Sequence, residues 1–250
     1  MSRLEFASPA ERIMVAVDVD NMEQAREIAK AASGLGVSLK IGNQLGTYAG
    51  WQAAISLASE FDVKIFCDTK FKDIPETVKQ SARAITKLQP HFFTIMADNQ
   101  GEALRGAVEG VRSTAAELSV PAPMLLGVTV LTSFTNEDAH RVYGADSASK
   151  VQQFATIAAG AGLDGVVCSA EEAEMLRIDP LTRDLVLVTP GIRPIWAAPN
   201  DQARVTTPSQ AIRMGADYLV IGRPITQPPE EIGTPRDAIL NIIKEIEGEL

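Results

Sequence analysis

The chain has 250 residues, 46% of them hydrophobic, and its 23 basic and 32 acidic side chains leave a net charge of −9. That length suits one domain and equals the usual size of a (β/α)8 barrel, about 250 residues. The acidic balance argues against a general affinity for nucleic acid or anionic membranes, which requires a basic face, but leaves room for a small anion in a locally positive pocket.

Met1–Arg12 contains Glu5 and Glu11 and no apolar run, so no secretory signal is expected. The first strand is expected at Ile13–Asp18, followed by a helix at Met22–Ala32 and a strand at Val37–Ile41. A third strand at Val63–Asp68 leads into a helix at Pro75–Lys87, and Phe92–Met96 leads into Gly101–Leu118. Further strands are expected at Leu125–Val130, Gly165–Cys168, Leu185–Thr189 and Tyr218–Ile221. These runs are continuously apolar, as parallel strands covered on both faces are. The last helix has Thr234 as its cap, Pro235 in its first turn, and an apolar stripe of Ile239, Ile242, Ile243 and Ile246. Eight βα units without a low-complexity linker predict a TIM barrel that forms a single domain over residues 1–250. No apolar stretch reaches the roughly 18 residues of a membrane span. Cys67 and Cys168 lie far apart in apolar runs and read as reduced core thiols of a soluble, cytoplasmic protein.

Several strands end in charge. Asp18 closes the first, Lys40 lies within the end of the second, and Asp68 closes the third. One such residue can merely solvate a strand end, but three successive ones point to a site at the C-terminal face of the barrel. Asp68 and Lys70 are two residues apart, so on an extended segment they share a face. Asp73 has two readings. Asp73-Ile-Pro-Glu76 has the form of a helix cap, yet its carboxylate could instead serve the site.

Pro190–Arg204 holds three prolines and a glycine, which predicts a long loop of the kind that forms lids. Beside it, Gly222 and Arg223 after the last strand could hold a phosphate, with Gln202 as a neutral donor. His91 and His140 are the only histidines, and neither has a ligand partner at metal-binding spacing. H-E-x-x-H, Walker A and G-x-S-x-G sequences are absent, and the one G-x-G-x-x-G match, Gly160–Gly165, runs into an expected strand instead of following one, so it is no dinucleotide-binding turn. A histidine triad or a nicotinamide enzyme is therefore not expected.

Together the motifs resemble the orotidine 5′-phosphate decarboxylase family over nearly the whole chain. The resemblance rests on Val17-Asp18, Leu39-Lys40-Ile41-Gly42, Asp68-x-Lys70-x-x-Asp73-Ile-Pro-x-Thr77 and Gly127-Val-Thr-Val-Leu-Thr-Ser133. It continues in Thr189-Pro-Gly-Ile-Arg193-Pro, Asp201-Gln202-x-Arg204-Val and Ile221-Gly-Arg223-Pro-Ile-Thr226. The D-x-K-x-x-D core is shared with a wider suprafamily of decarboxylases and aldolases. The Gly-Ile-Arg-Pro and Gly-Arg-Pro-Ile-Thr segments discriminate better.

The resemblance implies conversion of orotidine 5′-phosphate to uridine 5′-phosphate, in pyrimidine biosynthesis, without metal or organic cofactor. Lys70 would protonate C6, Asp68 would lie near the departing carboxylate, and Lys40 with Asp73 would complete a charge network. Asp18 would contact the ribose and Thr132 the pyrimidine edge. Arg193, Gln202, Gly222 and Arg223 would hold the phosphate. Asp73 and Thr77 would reach a neighbouring subunit, which implies a homodimer with composite sites. Two departures stand out. The family often has Asp-Leu-Lys-Phe-His-Asp, where this chain has Thr69 and Lys72, and often a histidine and a glycine pair where this chain has Met96-Ala-Asp-Asn-Gln100. Two rival readings remain. One is a magnesium-dependent sugar-phosphate decarboxylase or aldolase, whose relatives tend to carry glutamate in place of Lys40. The other is a non-catalytic phosphate-binding barrel.

Overall fold

The computed structural model describes residues 4–197 and 206–248. Its strands are β1 (Ile13–Val17), β2 (Ser38–Ile41), β3 (Lys64–Phe71), β4 (Phe92–Met96), β5 (Met124–Val128), β6 (Gly165–Val167), β7 (Val186–Thr189) and β8 (Tyr218–Ile221). They follow one another in chain order as a closed barrel of parallel strands with helices between them, the expected TIM barrel. Backbone contacts group the chain into two compact units, residues 69–188 and residues 4–68 with those from 189 onward.

In the second of these units, β1 is central. Val15 pairs with Leu39 of β2 on one side and with Ile221 of β8 on the other, and β2 pairs with β3 from Ser38↔Lys64 to Ile41↔Cys67. All five residues of β1 are buried, which explains the unbroken apolar run. The closing helix, Pro235–Glu247, starts from a capping box between Thr234 and Asp237, as expected. Ile239, Ile242 and Ile246 on its inner face are fully buried, each contributing about 1.5–3 kcal/mol by leaving water.

In the unit 69–188, β4, β5, β6 and β7 pair in sequence. The helix Gly101–Leu118 lies against Pro75–Thr86 at a glycine: a Cβ on Gly110 would stand 2.9 Å from the Lys79 carbonyl oxygen. Gly165 of β6 is tighter still, since a Cβ there would overlap the Val186 backbone of β7.

Most boundaries agree with expectation to within two residues, and β3 is the informative exception. It runs through Thr69, Lys70 and Phe71, three residues past the expected end at Asp68. The first two added residues are polar and charged, so apolar patterning breaks there. Hydrogen bonds carry the extension: Thr69 and Lys70 bond to Thr94 of β4, and the Phe71 carbonyl accepts from Asn99 beyond it. β5 stops at Val128, two residues before the expected Val130, although Thr129 still donates to the Val167 carbonyl from its hydroxyl at 2.8 Å. Among the described residues no helix is long and apolar enough to cross a membrane. Cys67 and Cys168 are buried thiols; burial, then the neighbouring Asp68 carboxylate, push the Cys67 thiol far up, leaving it protonated and inert.

Candidate active site

The first group of expected residues lies in the unit containing β1, β2 and β8. Asp18 follows β1 directly and is exposed, whereas Lys40 sits on β2. The Lys40 ammonium stands 3.1 Å from Asp18 Oδ1 and 3.6 Å from Asp68 Oδ2. Gly42 permits this approach, because a Cβ there would come within 3.1 Å of Asp18 Oδ1 and 3.4 Å of Lys40 Nζ. The Asp68 contact is well shielded, with side-chain exposures of 12% for Lys40 and 13% for Asp68. Asp18 is 56% exposed, so its attraction is screened to roughly that of a surface pair, ~1 kcal/mol or less.

Asp18, Lys40, Arg193, Gly222 and Arg223 all line one cavity of about 1330 Å³, which continues past Thr226 toward Arg236. Such a volume accommodates a nucleotide-sized ligand with room to spare. Arg193 is buried, and its backbone N–H donates to the Thr206 carbonyl at 2.9 Å. Ile192 bridges Thr206 as well, so the two ends of the proline-rich segment are tied together. Gln202 and Arg204 lie outside the described residues. Arg223 is exposed, one residue after the barrel glycine, at the start of the short helix Arg223–Thr226.

The second group lies in the unit 69–188. Lys70 is half-buried and has a positive φ of 50°, a left-handed backbone that costs a non-glycine residue about 1–2 kcal/mol. Strand alternation therefore does not set the direction of its side chain, contrary to the simple two-residue argument. The N–H of Lys70 donates to Thr94 Oγ1 at 2.9 Å, and the Thr69 hydroxyl donates to the Thr94 carbonyl at 2.5 Å. Beyond them, Asn99 Nδ2 donates to the Phe71 carbonyl at 2.9 Å and to the Met96 carbonyl at 2.8 Å. Asn99 Oδ1 receives the Asp73 N–H at 3.4 Å.

The capping alternative for Asp73 is not what is found. Ile74 occupies the cap position of Pro75–Thr86 with no side-chain cap bond, and the Asp73 carboxylate accepts the adjacent Ile74 N–H, at 2.7 Å. Proline at the first helical position fixes φ, and this shifts the cap one residue toward the helix. Asp73 and Thr77 are both exposed. Thr132 is half-buried in the turn that the Phe134 N–H closes on the Leu131 carbonyl at 2.9 Å.

The two departures from the family pattern are linked. Lys72 forms an ion pair with Asp98 at 2.5 Å, so an altered residue after β3 meets an altered residue after β4. Asp98 also acts on Tyr143, whose hydroxyl is raised above its ordinary pKa by burial first and by that carboxylate second. Sequence reasoning missed Thr94 and Asn99 as participants. The signal for Thr94 was a hydroxyl inside Phe92-Phe93-Thr94-Ile95-Met96, since a buried polar group in an apolar strand needs a partner.

Charged side chains at the C-terminal ends of several barrel strands, over an apolar core, define a (β/α)8-barrel enzyme. The chain belongs to the Orotidine 5′-phosphate decarboxylase / HUMPS family, which it matches over residues 11–234. An orotidine 5′-phosphate decarboxylase of Syntrophomonas wolfei subsp. wolfei is 40% identical over 240 residues, covering 95% of this chain and 98% of that protein. One of Methylobacterium sp. is 39% identical over 245 residues, with 97% and 98% covered. The crystal structure of orotidine 5′-phosphate decarboxylase from Lactobacillus acidophilus is similar with a TM-score of 0.77 at 33% identity, over 94% of this chain and 98% of that one.

Proposed function

We propose that this protein is a carboxy-lyase that converts orotidine 5′-phosphate to uridine 5′-phosphate and carbon dioxide, a step of pyrimidine biosynthesis in the cytoplasm. The observation that carries the mechanistic part is the Lys40 ammonium between Asp18 and Asp68. A cation fixed there fills the place that the magnesium-dependent relatives would give to a carboxylate ligand. It favours the metal-free reaction.

In this reading the C6–carboxylate bond breaks, its electron pair stays on C6, and Lys70 delivers a proton to that carbon. The ring delocalises such a carbanion poorly, so the protein must stabilise charge. One contact between unit charges about 4 Å apart supplies about 4 kcal/mol at an effective dielectric of 20, against accelerations worth up to about 23 kcal/mol in ordinary enzymes. Several fixed charges and remote binding energy are therefore needed. Asp68 adjoins the departing carboxylate, with the Lys40 ammonium 3.6 Å from its Oδ2. Asp18 contacts the ribose and Thr132 the pyrimidine edge. Arg193, Gln202, Gly222 and Arg223 take the phosphate, whose binding energy is drawn on at the reacting carbon.

The same reading makes the protein a homodimer in which Asp73 and Thr77 complete the partner's site. Their exposure supports this, as does Ile74 between them, an apolar side chain left 65% exposed. One domain over residues 1–250 is part of the proposal, and the family match runs across both compact units.

The test is an absorbance assay of purified protein with orotidine 5′-phosphate in EDTA. Turnover that added magnesium does not raise is expected. Activity abolished by EDTA and restored by magnesium would favour the sugar-phosphate rival. Binding of uridine 5′-phosphate without any consumption of orotidine 5′-phosphate would favour the silent barrel.

A further inference from the structure

We propose that Thr94 is a positioning residue for Lys70, holding the lysine backbone in its left-handed conformation so that the ammonium meets the substrate. The inference rests on the decarboxylase reading above and names a residue of that same site.

Lys70 has φ of 50°, and nothing in its own side chain favours that region. A lysine there persists only if its surroundings hold it, and such outliers concentrate where a side chain must be aimed. The hold is visible. Thr94 Oγ1 receives the Lys70 N–H at 2.9 Å, while the Thr94 carbonyl receives the Thr69 hydroxyl at 2.5 Å. Thr94 is fully buried in β4, so water does not compete for either bond. Asn99 fixes the next stretch through the Phe71 carbonyl and the Asp73 N–H. Residues 69–73 are thus pinned at four points from β4 and the turn after it, and Thr94 makes the contact at the lysine itself.

Valine has the shape of threonine without the acceptor. In Thr94→Val the Thr69 bond to the backbone carbonyl survives, whereas the hold on the Lys70 N–H is lost. Relaxation of φ toward negative values then swings the long lysine stem, because its ammonium lies at the end of a four-carbon lever. Misplacing a reacting group by about 1 Å can cost about 100-fold in rate. Binding of the product should be untouched, since its phosphate and ribose contacts lie elsewhere.

The experiment compares the parent with Thr94→Val and Thr94→Ser. In Thr94→Val we expect kcat for orotidine 5′-phosphate to fall about 100-fold, with the affinity and stoichiometry of uridine 5′-phosphate as in the parent. Thr94→Ser, which restores the acceptor, should recover kcat to within about threefold. Amide exchange at Lys70, measured without ligand, should quicken about tenfold in the valine variant and not in the serine variant. Parent-like kcat in Thr94→Val overturns the proposal. So does a loss in Thr94→Ser equal to that in Thr94→Val, or a fall in binding stoichiometry that tracks kcat. If Thr94→Val does not fold, Thr94→Cys replaces it: its weak sulfur acceptor should place kcat below serine, and parent-like kcat overturns the idea. If the parent itself leaves orotidine 5′-phosphate unchanged, the functional reading fails, and exchange at Lys70 then decides alone. Equal exchange in parent and Thr94→Val overturns the positioning role.

Discussion

Lys40 faces two carboxylates, and distance and burial rank them in opposite order. Asp18 is nearer at 3.1 Å but 56% exposed, and Asp68 is farther at 3.6 Å with 13% side-chain exposure. At one dielectric the nearer pair would be the stronger. At an effective dielectric of 20 the Asp68 contact is worth about 4–5 kcal/mol before desolvation, while exposed pairs deliver about 0.2–1 kcal/mol. Burial should therefore win. Double-mutant cycles in urea unfolding read the two couplings separately, using Lys40→Met with Asp68→Asn and Lys40→Met with Asp18→Asn. We expect a coupling of about 2–3 kcal/mol for Lys40–Asp68 and below about 1 kcal/mol for Lys40–Asp18. Raising the salt should reduce only the second. An Asp18 coupling equal to or above that of Asp68 would refute the reasoning.

Three further expectations concern other parts of the molecule. Asp138, Asp146 and Asp237 are held below the ordinary carboxylate range, chiefly by the Thr135 hydroxyl, the Ser149 backbone N–H and the Thr234 hydroxyl respectively. A depressed folded-state pKa gives stability that is present above the unfolded value, about 4, and is lost as pH falls through the folded value. The thermal midpoint should therefore drop below about pH 4, and less steeply in the triple Asp→Asn variant; parallel profiles would count against the caps. Gly165→Ala forces a Cβ into the Val186 backbone, so unfolding stability should fall by about 1–3 kcal/mol or more, and an unchanged denaturation midpoint would contradict the close packing. Arg223→Ala should raise KM for orotidine 5′-phosphate about 10- to 100-fold, the worth of one charge-assisted hydrogen bond. An equal effect with the bare nucleoside would remove Arg223 from the phosphate grip.

The barrel was legible because its evidence is periodic. The unbroken apolar run at Ile13–Val17 and the largely apolar Phe92–Met96 read as strands covered on both faces, and Thr234-Pro235 marked a helix start outright. Asp18 and Lys40 were legible as strand-end charges, Gly222 and Arg223 as a glycine and an arginine after the last strand, and Arg193 through the family resemblance; all five line one cavity. What escaped lies where the chain leaves its regular path. Lys70 turns left-handed, and the hydroxyl that receives its N–H belongs to a residue 24 positions later. No local pattern announces such a bond. Asp73 misled because a proline and a glutamate follow it at capping distance, yet the cap fell on Ile74. Lys72 and Asp98 looked like two unrelated departures until the fold brought them together as an ion pair.

Lys70→Ala decides whether Lys70 protonates C6 as carbon dioxide leaves. Parent and variant are assayed side by side with orotidine 5′-phosphate, after binding of uridine 5′-phosphate has shown that both have intact sites. Near-complete loss of turnover is expected in the variant. Comparable rates in the two proteins would contradict it.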